Sequence, residues 1–195
     1  MSGGLAAASG RVPAGGGRIV LVGGGARSGK SRFALELARA RGPQRTFIAT
    51  AEALDGEMRE RARAHREERG VEFETVEEPL GLSQAISSAD AAVVVVDCVT
   101  LWLSNLLMHG RTREDVLAAV DGLVAVLSQR QRTVVLVTNE VGMGIVPETP
   151  LGRLFRDLSG VAHQRIAAAA DEVYLGALGL ILRLKPGPVE VACPG

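Results

Sequence analysis

Ile19-Val20-Leu21-Val22-Gly23-Gly24-Gly25-Ala26-Arg27-Ser28-Gly29-Lys30-Ser31 is the stretch whose reading decides the fold of this chain. An apolar run ends in consecutive glycines, and the pattern G-x-x-x-x-G-K-S then extends from Gly24 to Ser31. The apolar run reads as a buried parallel strand. The glycines let the backbone curl so that successive N–H groups point at phosphate oxygens. Lys30 is spaced to reach the β- and γ-phosphates, and the Ser31 hydroxyl to ligate Mg²⁺. The helix that follows turns the positive end of its dipole toward the same phosphates. A chance glycine-rich turn would not fall between a strand and a helix in that order. Gly24, Gly25, Ala26, Arg27, Ser28, Gly29, Lys30 and Ser31 therefore define a nucleotide-phosphate site.

Outward from this loop, helical and apolar patterns alternate. Lys30 to Arg41 is a helix with Phe33, Ala34, Leu37 and Ala38 on one face, stopped by Gly42-Pro43. Thr46 to Ala49 is a short strand, and Thr50-Ala51-Glu52 sits at its C-terminal end, where open α/β sheets bind ligands. Val71 to Glu77 alternates as a strand does, and Pro79 opens a helix to about Ser88. Ala91 to Asp97 is an unbroken β-branched run, expected as a central strand. Asp97 at its end is a candidate for holding Mg²⁺, directly or through water; the alternative is a cap on the next helix, Thr100 to Met108. Trp102, Leu103, Leu106 and Leu107 have the spacing of a core or subunit-contact stripe. Arg113 to Arg130 is an amphipathic helix, and Thr133 to Thr138 a buried strand. That strand runs into a long loop from Asn139 to Glu148, of the kind that carries function. Pro150 to Ala170 is a long helix; Asp171 to Leu175 and Leu178 to Leu184 are the last strands. The alternation predicts α/β architecture: a three-layer P-loop NTPase-type fold with a mostly parallel central sheet.

Composition bounds the partners. The chain has 195 residues, enough for one α/β domain. Lys+Arg and Asp+Glu are 22 each and aromatics are 3%, which argues against bulk nucleic-acid binding. The two cysteines, Cys98 and Cys193, stand in no metal spacing and suit a reduced, cytoplasmic protein. No apolar run is long enough to span a membrane. The expected organisation is a disordered leader over 1–17, one P-loop domain over 18–185, and a loose tail over 186–195.

Residues 55–69 read as a very polar helix dense in Arg and Glu, with Asp55 as its N-cap. His65 lies in it among arginines, shortly after a strand end. Of the three histidines, His109 precedes a Gly-Arg turn and His163 lies on the long helix. A neutral imidazole is a competent nucleophile near neutral pH, and Arg66 or Arg69 could stabilise charge on an attacked α-phosphate. From spacing alone a solvent-exposed helix residue is the commoner reading of such a histidine.

Four blocks together go beyond a generic phosphate loop. They are Gly24 to Ser31; Phe47 to Thr50 with Asp55, Glu57-Met58, Arg61 and His65; Asp97 to Leu107; and Thr138 to Glu148, followed by Phe155-Arg156-Asp157 and Gln164-Arg165 with Ala168 to Asp171. From about residue 18 to 185 the chain resembles the bifunctional adenosylcobinamide kinase/adenosylcobinamide-phosphate guanylyltransferase family of cobalamin biosynthesis. The resemblance implies phosphorylation of the aminopropanol hydroxyl of adenosylcobinamide by ATP or GTP. It then implies GMP transfer from GTP through a histidine, giving adenosylcobinamide-GDP and pyrophosphate. The family's Arg and His, four residues apart, match Arg61 and His65. Some relatives carry two adjacent histidines where this chain has Ala64 and His65. By the same resemblance Thr50, Ala51, Glu52, Arg66, Glu67, Glu68, Arg69, Glu77 and Asp97 line the guanine nucleotide site, with Ser31 and Asp97 on Mg²⁺ and a homotrimer as the assembly. From the sequence alone Glu77 could equally be a surface charge.

Overall fold

The computed structural model describes residues 16–52 and 71–192. Eight strands form one sheet in the order β3-β2-β4-β5-β1-β6-β7-β8. They are β1 (Ile19–Gly24), β2 (Arg45–Ala49), β3 (Glu74–Glu77), β4 (Val93–Asp97), β5 (Thr133–Asn139), β6 (Glu172–Ala177), β7 (Leu180–Lys185) and β8 (Glu190–Ala192). Every pairing from β3 across to β6 is parallel. The last two pairings, β6 with β7 and β7 with β8, are antiparallel. The apolar runs that read as buried strands occupy the middle of the sheet because both of their faces are covered.

The alternation of side chains sorts the core into two layers. Val20 and Val22 of β1, Val93 and Val95 of β4, and Val135 and Val137 of β5 pack on α1 (Lys30–Arg39) through Phe33, Ala34 and Ala38. Ile19 and Leu21, Val94 and Val96, and Val134 and Leu136 face the other way. They pack against α2 (Leu82–Ser88), α3 (Val99–Met108), α4 (Arg113–Ser128) and α5 (Pro150–Ala169). Trp102, Leu103 and Leu106 are buried in this second layer, so the stripe on α3 is core. A capping box starts α4: Thr112 Oγ1 accepts from the Asp115 amide, and the Asp115 carboxylate accepts from the Thr112 amide. Thr149 caps α5, with Pro150 in the first turn.

Element boundaries shift where side chains compete with regular structure. The helix expected from Pro79 begins at Leu82. Glu78 Oε1 accepts from the amides of Leu80 and Gly81, while Trp102 Nε1 donates to Leu80 O and Asn105 Nδ2 to Pro79 O. Those bonds satisfy the backbone as a turn. β3 covers only Glu74–Glu77, since Val71 is fully exposed and only Phe73 of that approach enters the core. β1 runs on to Gly24 because β5 and β6 pair with it on both sides. Within the stretch after Pro186, Glu190–Ala192 forms the edge strand β8.

Candidate active site

The phosphate loop leaves β1 at Gly24 and enters α1 at Gly29, whose φ of 85° is left-handed and suits glycine. Arg27, at φ 57°, adopts the same region within the turn. Lys30 is buried, and its Nζ donates to Gly25 O at 3.0 Å, so the ammonium folds back across the mouth of the loop. Ser28 is buried, with no hydrogen-bond partner for its Oγ among the described residues. Its side chain is wedged between two glycines. A Cβ on Gly24 would stand 2.6 Å from Ser28 Oγ and 2.7 Å from Gly176 O. A Cβ on Gly176 would stand 2.9 Å from the same Oγ. Gly176 of β6 is therefore part of the loop's foundation. A lone glycine inside an apolar strand is a signal of close backbone approach, and this one went unused in the sequence reading.

Parallel pairing brings the C-terminal ends of β1 to β5 to one edge of the sheet. Along that edge stand, in spatial order, Glu77, Thr50, Asp97, Asn139 and Gly24. Strands sit about 4.8 Å apart, which places the end of β4 roughly 10 Å, β2 roughly 14 Å and β3 roughly 19 Å from Gly24. One strand, β5, separates the phosphate loop from Asp97. Asp97 continues the alternation of Val93 and Val95, so it is on the α1 side, the side of Ser31. Ser31 is half-buried in the first turn of α1. A hydroxyl and a carboxylate are hard oxygen donors of the type Mg²⁺ takes. Among the described residues no three His, Cys, Asp or Glu side chains gather into a protein-only metal cage. An ion at this site would draw its remaining ligands from phosphates and water.

Other predicted residues have structural duties. Thr50 is fully buried: its Oγ1 donates to Cys98 O and accepts from Cys98 N, both at 2.8 Å. Its carbonyl accepts from Asn105 Nδ2 at 2.7 Å. Thr50 thus ties β2 to the start of α3, and only Ala51 and Glu52 after it are half-exposed. The Glu52 carboxylate meets His109 Nε2 at 2.8 Å. Glu77 is exposed at the end of β3. Cys98 is buried; burial, reinforced by the Asp97 charge, pushes its thiol above the usual range, which makes it unreactive. Its Sγ lies 3.2 Å from Thr100 Oγ1, and Asn139 Nδ2 donates to that hydroxyl at 3.0 Å, which links the ends of β4 and β5. Arg61, His65, Arg66, Glu67, Glu68 and Arg69 lie outside the described residues, so the polar helix expected over 55–69 does too.

Two further residues enter the site from the opposite face. His163 of α5 places Nε2 2.6 Å from Thr138 Oγ1 and Nδ1 4.0 Å from Glu140 Oε2. Burial lowers the His163 pKa against the raising effect of Glu140, so the imidazole is neutral at pH 7. The Glu140 amide donates to Gly24 O at 3.0 Å. The Asn139–Glu148 loop was marked as functional by its length; its first carboxylate and this histidine were not.

A phosphate loop and a buried-strand aspartate on one edge of a mostly parallel sheet, with α-helices on both faces, define a P-loop NTPase-type α/β protein. Among solved structures, one from a structural study in Pyrococcus horikoshii OT3 has a similar fold. Its TM-score is 0.56 at 11% identity, covering 92% of this chain and 93% of that one. The family described as cobinamide kinase / cobinamide phosphate guanyltransferase matches residues 20–184, and the chain belongs to that family. It is 42% identical over 175 residues to the bifunctional adenosylcobalamin biosynthesis protein CobP of Pseudomonas aeruginosa, covering 87% of this chain and 98% of the relative. It is 41% identical over 182 residues to the bifunctional adenosylcobalamin biosynthesis protein CobU of Escherichia coli K12, covering 86% and 99%. Family membership makes it a bifunctional kinase and guanylyltransferase.

Proposed function

We propose that this enzyme phosphorylates adenosylcobinamide and then joins GMP to the new phosphate through a guanylyl-histidine at His65. In the first step the hydroxyl oxygen of the aminopropanol arm attacks the γ-phosphorus of ATP or GTP, and the nucleoside diphosphate leaves. In the second, a His65 ring nitrogen attacks the α-phosphorus of GTP, and pyrophosphate leaves. A phosphate oxygen of adenosylcobinamide phosphate then displaces His65, giving adenosylcobinamide-GDP. The observation that carries the reading is the phosphate loop on the same sheet edge as Asp97, in a chain of this family.

Lys30 and the loop amides from Gly24 to Ser31 hold the triphosphate and oppose its charge. Ser31 and Asp97 would hold Mg²⁺, which when bound neutralises charge on the phosphate oxygens. Arg66 and Arg69 stabilise the α-phosphate as His65 attacks. Thr50, Ala51, Glu52, Glu67, Glu68, Glu77 and Asp97 line the guanine nucleotide; of Thr50, the buried side chain acts by holding the strand end. The enzyme is a cytoplasmic homotrimer in this reading. Among the described residues no helix is long and apolar enough to cross a membrane.

The test is incubation with Mg²⁺ and GTP labelled at the α-phosphate, without corrinoid, beside His65→Ala. Acid-labile, base-stable label on the wild type alone supports the guanylyl-histidine. Equal label on both proteins removes His65 from the mechanism, and no label on either leaves a phosphate-loop kinase.

A further inference from the structure

We propose that Glu140 is the proton acceptor of the phosphorylation step, taking the hydroxyl proton of the corrinoid arm as its oxygen attacks the γ-phosphate. This rests on the kinase reading above and deepens it, since that reading names no base. β5 lies between β1, which carries the phosphate loop, and β4, which carries Asp97. The residue that follows β5 is therefore centred on the phosphate edge. Gly24 pairs with Asn139, and the Glu140 amide donates to Gly24 O at 3.0 Å, so the backbone of Glu140 is bonded to the first glycine of the loop.

The two acids of this edge lie on opposite faces. Asp97 follows Val93 and Val95 onto the α1 side. Glu140 follows Val134, Leu136 and Thr138 onto the α5 side, where His163 meets it. An aspartate toward the helix that binds phosphate and a glutamate across from it would flank a γ-phosphate from two directions. An in-line transfer needs its acceptor group away from the phosphate-holding side.

The surroundings of Glu140 hold its carboxylate in place. Oε1 accepts from the Gly142 amide at 2.6 Å, which orients the carboxylate. Among the described residues its charged-group neighbour within ion-pair distance is His163, and that imidazole is neutral at pH 7. On α5, Arg153 Nη1 donates to Pro147 O and Glu148 O, and Arg156 pairs with Asp157. A carboxylate facing a triphosphate repels it, a cost that a role as proton acceptor would offset. In the step, the O–H bond breaks as the proton passes to a Glu140 oxygen, and the substrate oxygen bonds to the γ-phosphorus. The bond from that phosphorus to the bridging oxygen then breaks, and the nucleoside diphosphate leaves with its electron pair.

The experiment uses the full chain as Glu140→Gln, which keeps an oxygen for the Gly142 amide and removes the base. Phosphorylation of adenosylcobinamide is followed with γ-labelled nucleotide, and guanylylation without corrinoid with α-labelled GTP. The expected kcat for phosphorylation falls roughly 10²–10⁴-fold, while nucleotide KM, half-saturating Mg²⁺ and guanylylation stay within about threefold. A kcat within about threefold of wild type overturns the assignment. So does recovery of kcat at high Mg²⁺, which would make Glu140 a metal-positioning group, or joint loss of nucleotide binding and guanylylation, which would make it structural. Wild-type protein that phosphorylates no corrinoid refutes the kinase reading itself, and this proposal falls with it.

Discussion

Replacing Gly176 by alanine tests whether β6 shapes the phosphate loop. The new Cβ would stand 2.9 Å from Ser28 Oγ, 3.1 Å from Ser28 Cβ and 3.2 Å from Ile181 Cδ1. Carbon atoms pack comfortably from about 3.5 Å, so Ser28 Cβ must retreat by roughly 0.4 Å. Its Oγ is seated against Gly24, where an added Cβ would be only 2.6 Å away, so the retreat disturbs that seat. The displacement passes along the chain into Gly29 and Lys30. Overpacking of this kind costs about 1–3 kcal/mol, a fall of roughly 2–12 °C in Tm for a chain of this size. Because an error of about 1 Å in positioning costs on the order of a hundredfold in turnover, a shift of this size should cost roughly tenfold. The control is Gly160→Ala on the exposed face of α5, where the added Cβ meets no atom beyond its own helix backbone and chain neighbours within 4 Å. That variant should gain about 0.4–1 kcal/mol from reduced chain entropy. Thermal unfolding by circular dichroism and titration with a fluorescent GTP analogue measure both. If Gly176→Ala matches wild type in Tm, nucleotide affinity and turnover, the wedge argument is wrong.

Asn105→Ala removes the donor to Thr50 O and Pro79 O, both inside the fold. Leaving two carbonyls without it should cost about 2–4 kcal/mol and lower Tm roughly 5–15 °C, read by calorimetry. Glu172 supports a separate pH prediction. Burial would raise its carboxyl, but the Tyr174 hydroxyl, Arg41 and Arg18 outweigh that and hold it below the ordinary carboxylate range. A depressed folded pKa adds stability that is present above the unfolded value, about 4.3, and is lost as pH falls through the folded one. Glu172→Gln should therefore be less stable than wild type at pH 7 by about 2–3 kcal/mol, with the gap narrowing below about pH 4. A gap that holds constant into acid would refute the linkage.

The phosphate loop was legible because its chemistry is local. Glycines, lysine and serine at fixed spacing between a strand and a helix can be read without knowing the partner strands. The strand end at Asp97 was legible for the same reason, as the polar end of a run of valines. The bonds that turn Pro79-Leu80-Gly81 away from a helix were not, because they come from Trp102 and Asn105 of α3 and from Glu78 at short range. Thr50 read as a ligand-edge residue, yet its hydroxyl is spent on Cys98, a partner 48 positions away in the chain.

The sequence by itself determined the class of fold and, through its ordered motif blocks, the family, since each is carried by short-range pattern. Tertiary structure decided the order of strands along the edge. It set β5 between the loop and Asp97, put Glu140 and His163 on the face opposite α1, and made Gly176 a seat for Ser28. These depend on which distant strands pair and which faces their side chains take. Hydrogen bonding between strands and packing across layers settle that only once the whole sheet has assembled.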